Sequence, residues 1–443
     1  MATTEPITSG ASLSYDELAA LTEPHILTEL PGPLARAVIE ADGKVTSPSL
    51  PRAYPLAPER GAGTMLLDVD GNVFLDLNAA IAVCSTGHAH PSVVEAIREQ
   101  AGKLLHYSAS DFYLPIYAET CAVLDEIAPM RADARSFLTN SGTEAVEAAI
   151  KLARHETNRQ YVIAFIGAFH GRSYGAVSLT ASSAKYHEGF GPMLPGVVHA
   201  PFGADDTDHY IENVIFKRLV RPHEVAAIVV EPVQGEGGYT IPPDGWLRYL
   251  RDLCTEHGIL LVADEVQSGM GRTGKMWAVE HWDVEPDILL SGKGIASGMP
   301  LGAMIARADL MNWQVGAHGS TYGGNPVSCA AALASIELIR GGLAADAARV
   351  GGSMLERLRE IAGRQPIITA VRGLGLMLGI EFADGATADA VEIDCFRHGV
   401  LTLRAGDSTI RMSPPLVINE EQATTGLRIF EEACERVAAR SGS

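Results

Sequence analysis

Residues 246–264 read Trp-Leu-Arg-Tyr-Leu-Arg-Asp-Leu-Cys-Thr-Glu-His-Gly-Ile-Leu-Leu-Val-Ala-Asp. Leu247, Leu250 and Cys254 recur at helical spacing, and Gly258 suits the left-handed residue that ends a helix. The apolar run Ile259–Ala263 then predicts a buried strand with Asp264 at its carboxyl end. A second apolar run, Ala226–Val230, precedes the helix. Strand, helix, strand in this order predicts an α/β fold whose mostly parallel sheet is covered on both faces.

Outward from this unit, short β-rich runs alternate with helix-like stretches from about residue 90 to residue 330. Further strands are predicted at Ser136–Leu138, Val162–Ile166, Asp287–Leu290 and Gly302–Ala306. Upstream, Thr64–Leu77 predicts a hairpin that turns at Asp70-Gly71-Asn72. Pro31 to Pro58 is rich in proline and turn signals, and residues 1–30 suit an arm or a short amphipathic helix. After residue 330 come an Ala-rich helix, the stretch Val371–Phe382 and strands near Val400 and Ile410, a smaller α+β lobe. The expected division is residues 1–90 as arm and segment packing with the small domain, 91–330 as the large domain and 331–443 as the small domain.

At 443 residues the chain exceeds the range in which one hydrophobic core keeps growing, which agrees with two lobes. A net charge of −20 argues against a nucleic-acid groove or an anionic membrane surface as partner. An anionic ligand must then be held by a local cluster of donors. Cys84, Cys121, Cys254, Cys329, Cys395 and Cys434 show no CxxC pair or metal spacing and suit buried positions in a reducing compartment. No Lys or Arg precedes Arg36, so neither a secretory signal nor an Arg-rich transit peptide is expected. No uninterrupted apolar run reaches the roughly 18 residues of a membrane span. A soluble, cytoplasmic protein is expected.

Three stretches could carry chemistry. In Thr139-Asn140-Ser141-Gly142-Thr143-Glu144 a strand end runs into Ser-Gly-Thr and a helix, which joins free N–H groups, hydroxyls and a positive dipole end. Alone this is a capped helix or a phosphate cradle. Asp264, at a strand's carboxyl edge where open α/β sheets bind ligands, could cap a turn, accept from a hydroxyl or pair with a cationic heterocycle. No His/Asp cluster with metal spacing lies near it. Lys293, between Gly292 and Gly294 beyond another strand, is poorly placed for a solvated charge, and desolvation there would turn its amine into a nucleophile. The P-loop pattern GxxxxGK[ST] is absent, since Gly294 follows Lys293. Cradle, Asp and Lys in this order on one sheet are the parts needed to hold pyridoxal phosphate.

From about residue 31 onward the chain resembles the class III (ω-amino acid) aminotransferases of fold type I. The resemblance is carried by SGTEAVEAAIKLAR (141–154), AFHGR (168–172), EPVQGEGG (231–238), ADEVQSGMGRTG (263–274), SGKGIASGMPLGA (291–303), GSTYGGNP (319–326) and VRGLGLMLGIEF (371–382). It is similar in feel to the 4-aminobutyrate, ornithine and lysine types. The resemblance implies that Lys293 holds the cofactor as a Schiff base and shuttles the proton. It implies Asp264 as partner of the pyridine nitrogen, Gln267 near the ring hydroxyl, and Phe169 stacked on the ring. Ser141, Gly142 and Thr143 would cradle the phosphate, with His170 and Glu231 also in the cofactor site. Thr321 would reach the phosphate of a neighbouring subunit.

For the substrate, the resemblance implies that Arg172 binds a distal carboxylate and Arg411 an α-carboxylate. Glu236 would be the gate that neutralises Arg411 when an ω-amine reacts, and Ile81 an apolar wall of the cleft. Ala80 stands where many relatives have Gly, and GKGIASG replaces a more usual Gly run. The implied activity is ping-pong transfer of an amino group from an ω-amino acid, such as 4-aminobutyrate, ornithine or lysine, to 2-oxoglutarate. The implied assembly is a homodimer with shared active sites, with pairing into tetramers left open. A racemase or epimerase would need the same Lys, ring partner and aromatic. A catalytically silent cofactor-binding regulator is disfavoured by the intact Lys293 and Asp264.

Overall fold

The computed structural model describes residues 13–203 and 210–441. Of the expected arm, residues 1–12 lie outside the described residues. The rest includes a short helix, Tyr15–Ala19, closed by a capping box between Ser14 and Glu17. Through Pro31–Pro58 the structure corrects the expectation of turns, because Pro33–Val45 is a helix. Pro33 opens it, where a missing N–H leaves nothing unpaired. The Asp70 carboxylate accepts from the N–H groups of Leu34 and Ala35, both at 2.8 Å, and so anchors the first turn.

Strands β1 (Pro58–Ala62), β2 (Met65–Asp68) and β3 (Val73–Asp76) form an antiparallel meander. The expected hairpin turns where Asp68 accepts from the N–H groups of Asp70 and Asn72. Seven strands then build the central sheet: β4 (Ala134–Thr139), β5 (Tyr161–Phe165), β6 (Val197–Ala200), β7 (Val225–Val230), β8 (Leu260–Asp264), β9 (Ile288–Ser291) and β10 (Gly302–Arg307). Their order is β4-β10-β9-β8-β7-β5-β6. All neighbours are parallel except β10, which runs against both β9 and β4. Every residue of β7 and β8 is buried, which accounts for their uninterrupted apolar runs. The helix Trp246–His257 covers them with Trp246, Leu247, Leu250, Leu253 and Cys254, and stops at Gly258 in the left-handed conformation.

The C-terminal part holds β11 (Ile368–Leu374), β12 (Met377–Phe382), β13 (Val400–Leu401), β14 (Leu403–Ala405) and β15 (Thr409–Met412). The stretch Val371–Phe382 belongs to two strands turned about Gly375, whose φ of 53° suits glycine. β11, β12, β15 and β14 form the smaller sheet, while β13 pairs in parallel with β3 and ties the C-terminal part to the first meander. Helical residues 326–364 are long and apolar enough to cross a membrane by length and hydropathy, yet half of the apolar window is buried inside the protein. Cys254, Cys329, Cys395 and Cys434 are buried, and Cys84 and Cys121 are half-buried.

Candidate active site

Strands β4, β5, β7, β8 and β9 point the same way, so their carboxyl ends share one edge of the sheet. A cavity of about 400 Å³ opens there. At one end Ser141 caps the helix Gly142–Thr157 in extended conformation, and its hydroxyl makes no capping hydrogen bond. The first N–H groups of this helix and its dipole therefore face the cavity unshielded. A Cβ on Gly142 would lie 2.8 Å from Val266, so only glycine fits. The Thr143 hydroxyl is 2.7 Å from that of Ser173.

Asp264 ends β8 and is 4% exposed. One of its oxygens lies 2.7 Å from His170 Nδ1, and the other accepts from the Val266 N–H at 3.1 Å. Burial alone would lower the His170 pKa, but the hydrogen bond to Asp264 and its charge raise it. His170 Nε2 is buried with no partner among the described residues. Glu231, just past β7, accepts from the N–H groups of Phe169 and Gly235, and burial pushes its carboxyl up to about 7. Gln267 Oε1 accepts from the Tyr239 hydroxyl at 2.9 Å.

Lys293 follows Gly292 at the end of β9 and lines the cavity. Its φ of 45° is uncommon for a residue with a Cβ, the kind of strain that collects at functional positions. Burial lowers its amine to about 8, with Glu236 pulling partly the other way.

Arg411 projects from β15 and pairs with Glu236 of the loop after β7. Burial would push the Glu236 carboxyl up, but Arg411, with Lys293 and Arg172 beyond it, holds it below the usual carboxylate range. Arg172 lies over the rings of Phe169 and Tyr186, 4.9 and 5.2 Å from their centroids. It makes no ion pair among the described residues, so a guanidinium fork is open to the cavity.

The structure thus brings together Ser141, Gly142, Thr143, Phe169, His170, Arg172, Glu231, Asp264, Gln267 and Lys293 around one cavity, with the Glu236–Arg411 pair beside it. Two residues lie apart. Thr321 is exposed, away from this cavity, and Ile81 is 39% exposed while Val83 lines the wall. Sequence reasoning missed Val83 and Tyr186, and it missed the turn that delivers the former. Ala79, Ala80, Ile81 and Ala82 have φ between 49° and 67°, a left-handed helical turn of residues that all carry Cβ atoms. Such a turn costs roughly 1–2 kcal/mol per residue. Asp76 holds it by accepting from the N–H groups of Asn78 and Ala79 while pairing with His88 at 2.7 Å.

This donor set fits pyridoxal phosphate. The helix end with its hydroxyls would take the phosphate, Asp264 the ring nitrogen, Phe169 the ring face and Lys293 the aldehyde carbon. A family model described as aminotransferase class-III matches residues 48–434. The chain is 37% identical to the alanine/serine racemase of Pyrococcus horikoshii over 94% of each chain. It is 42% identical to the acetylornithine aminotransferase of Methanopyrus kandleri, over 86% of this chain and 94% of that one. The ornithine aminotransferase of Toxoplasma gondii, in a structure with partial occupancy of pyridoxal phosphate at its active site, aligns with a TM-score of 0.85 at 30% identity. That match covers 94% of this chain and 97% of that one. The chain is therefore a member of the class III aminotransferases, enzymes that depend on pyridoxal phosphate.

Proposed function

We propose that the protein moves an amino group from an ω-amino acid to 2-oxoglutarate in two half-reactions, by a ping-pong mechanism. The observation that carries this reading is the Glu236–Arg411 pair beside a cavity in which Arg172 stands unpaired. Pyridoxal phosphate, when bound, supplies the electron sink and carries the amino group between the half-reactions. Lys293 takes and returns the proton at the donor's reacting carbon, and its lowered amine pKa suits a base near neutral pH. Asp264, braced by His170, keeps a proton on the ring nitrogen. Arg172 grips the distal carboxylate of the donor with its planar fork.

An ω-amine has no carboxylate on its reacting carbon, so Arg411 then needs Glu236 as counter-charge. With an α-keto acid Glu236 swings away and Arg411 takes the α-carboxylate. A buried guanidinium left without either would be costly. The working unit is a cytoplasmic homodimer, in which exposed Thr321 reaches the phosphate of the second chain and Ile81 walls the cleft. The racemase reading is favoured by two relatives, the alanine/serine racemase matched over 94% of this chain and an isoleucine 2-epimerase of Lentilactobacillus buchneri, 38% identical over 86% of it.

A panel of 4-aminobutyrate, ornithine, lysine, alanine and a simple diamine, each offered without keto acid, separates the two. Transamination yields one carbonyl product per site, stops, and resumes on adding 2-oxoglutarate. Racemisation turns over without keto acid and yields no carbonyl product, and that outcome would replace the reading.

A further inference from the structure

Beyond the gate lies a second cavity, also of about 400 Å³. Glu236 and Tyr186 border it, and the Tyr186 ring also carries Arg172, so it adjoins the chamber of Lys293. Its far wall comes from the helix Gly385–Arg397 and from β14. Its charged groups are Lys185, Glu236, Asp389, Glu392, Arg404 and Asp407. Glu236 is paired with Arg411, and Asp389 with Arg404 at 2.5 Å. Lys185 and Asp407 are exposed to solvent.

Glu392 is different. It is 5% exposed and makes no ion pair among the described residues, and it accepts from the Arg404 backbone N–H. A carboxylate has room for about four hydrogen bonds. Burial, with the charge of Asp389, pushes the Glu392 carboxyl up to about 7, while Arg404 and Arg411 pull it partly back.

We propose that this cavity is the subsite for the second ammonium of a diamino donor, with Glu392 as its carboxylate partner. The inference rests on the reading that a donor's distal carboxylate sits on Arg172. A substituent on the carbon bearing that carboxylate then stands beside Tyr186, at the mouth of the second cavity. The Tyr186 ring already carries Arg172 and the Lys185 ammonium, 5.2 and 5.1 Å from its centroid, so the group that favours a further ammonium is the buried Glu392 carboxylate, which has no ion pair among the described residues. The ammonium in turn supplies the ion pair that Glu392 lacks among the described residues. The donor class is therefore an α,ω-diamino acid in preference to an ω-amino acid with one amine.

Ornithine and 5-aminopentanoate differ only in that second amine. The expected kcat/KM ratio favours ornithine at least tenfold, and Glu392→Gln lowers the ratio about tenfold while leaving 5-aminopentanoate unchanged. Asp389→Asn, whose charge is already paired, shifts the ratio less. Calorimetric binding of the same two amines to Lys293→Ala protein carrying its cofactor gives a reading that needs no turnover. A preference for ornithine that is lost in Glu392→Gln supports the subsite even if neither amine is transaminated, an outcome that would overturn the proposed reaction alone. Equal binding of the two amines, or a preference that survives Glu392→Gln in a protein of unchanged Tm, overturns the subsite.

Discussion

The carboxyl edge of the central sheet and the segment entering from the first meander line the same cavity, but they place their side chains by different means. At the edge, β8 and β9 are buried throughout, and their regular hydrogen bonding delivers Asp264 and Lys293 to one side. The backbone there is largely relaxed, with strain confined to residues such as Lys293. The entering segment delivers Val83 through a left-handed turn that no local preference favours, held by Asp76, Asn78 and the Asp76–His88 pair. One region positions chemistry by periodic structure. The other does so by tertiary contacts that over-determine a strained backbone.

The largest effect that sharpens this contrast is at the edge. Lys293→Ala should lower kcat by roughly 10²–10⁴-fold, the usual scale for a positioned acid–base, while the Tm stays near that of the parent. An active Lys293→Ala protein would remove the edge from the chemistry. Second comes the gate. Glu236→Ala should slow the half-reaction with ω-amines about tenfold, ~1.4 kcal/mol, and spare the half-reaction with 2-oxoglutarate. A kcat unchanged for every donor would eliminate the gate.

A smaller effect concerns pH. In cofactor-free protein the Lys293 amine is lowered to about 8, below its value of roughly 10.4 in an unfolded chain. Between those values the unfolded state binds more protons, so this residue makes stability rise with pH through that window. Lys293→Met should flatten the rise, measured as Cm against pH. The smallest effect lies in the strained turn. Ala80→Gly removes about 1–2 kcal/mol of left-handed strain and adds roughly 0.5–1 kcal/mol of unfolded-state entropy, a net gain below about 1.5 kcal/mol. Ala80→Val should lose stability, since a branched Cβ tolerates that backbone poorly. Urea titration of both variants checks the sign.

The same contrast explains what was legible in the sequence. Asp264 and Lys293 could be found because each follows an apolar run long enough to predict a buried strand, and the helix Trp246–His257 shows its period in Leu247, Leu250 and Cys254. The Pro33–Val45 helix was not expected because Pro31, Gly32 and Pro33 read as turn signals, whereas the carboxylate that anchors its first turn is Asp70, distant in sequence. The Glu236–Arg411 pair spans 175 residues, and it was expected only through the resemblance of the segments around each partner, since no local periodicity signals it. The turn at Ala79–Ala82 was invisible for a sharper reason, since three alanines and an isoleucine argue against left-handed backbone.

The most direct test is to load the protein with pyridoxal phosphate, reduce it with borohydride and map the modified peptide. The expected result is a pyridoxyl group on Lys293 and on no other lysine. Label on a different lysine, or none, would contradict the assignment of the strand-end lysine on which the proposed reaction depends.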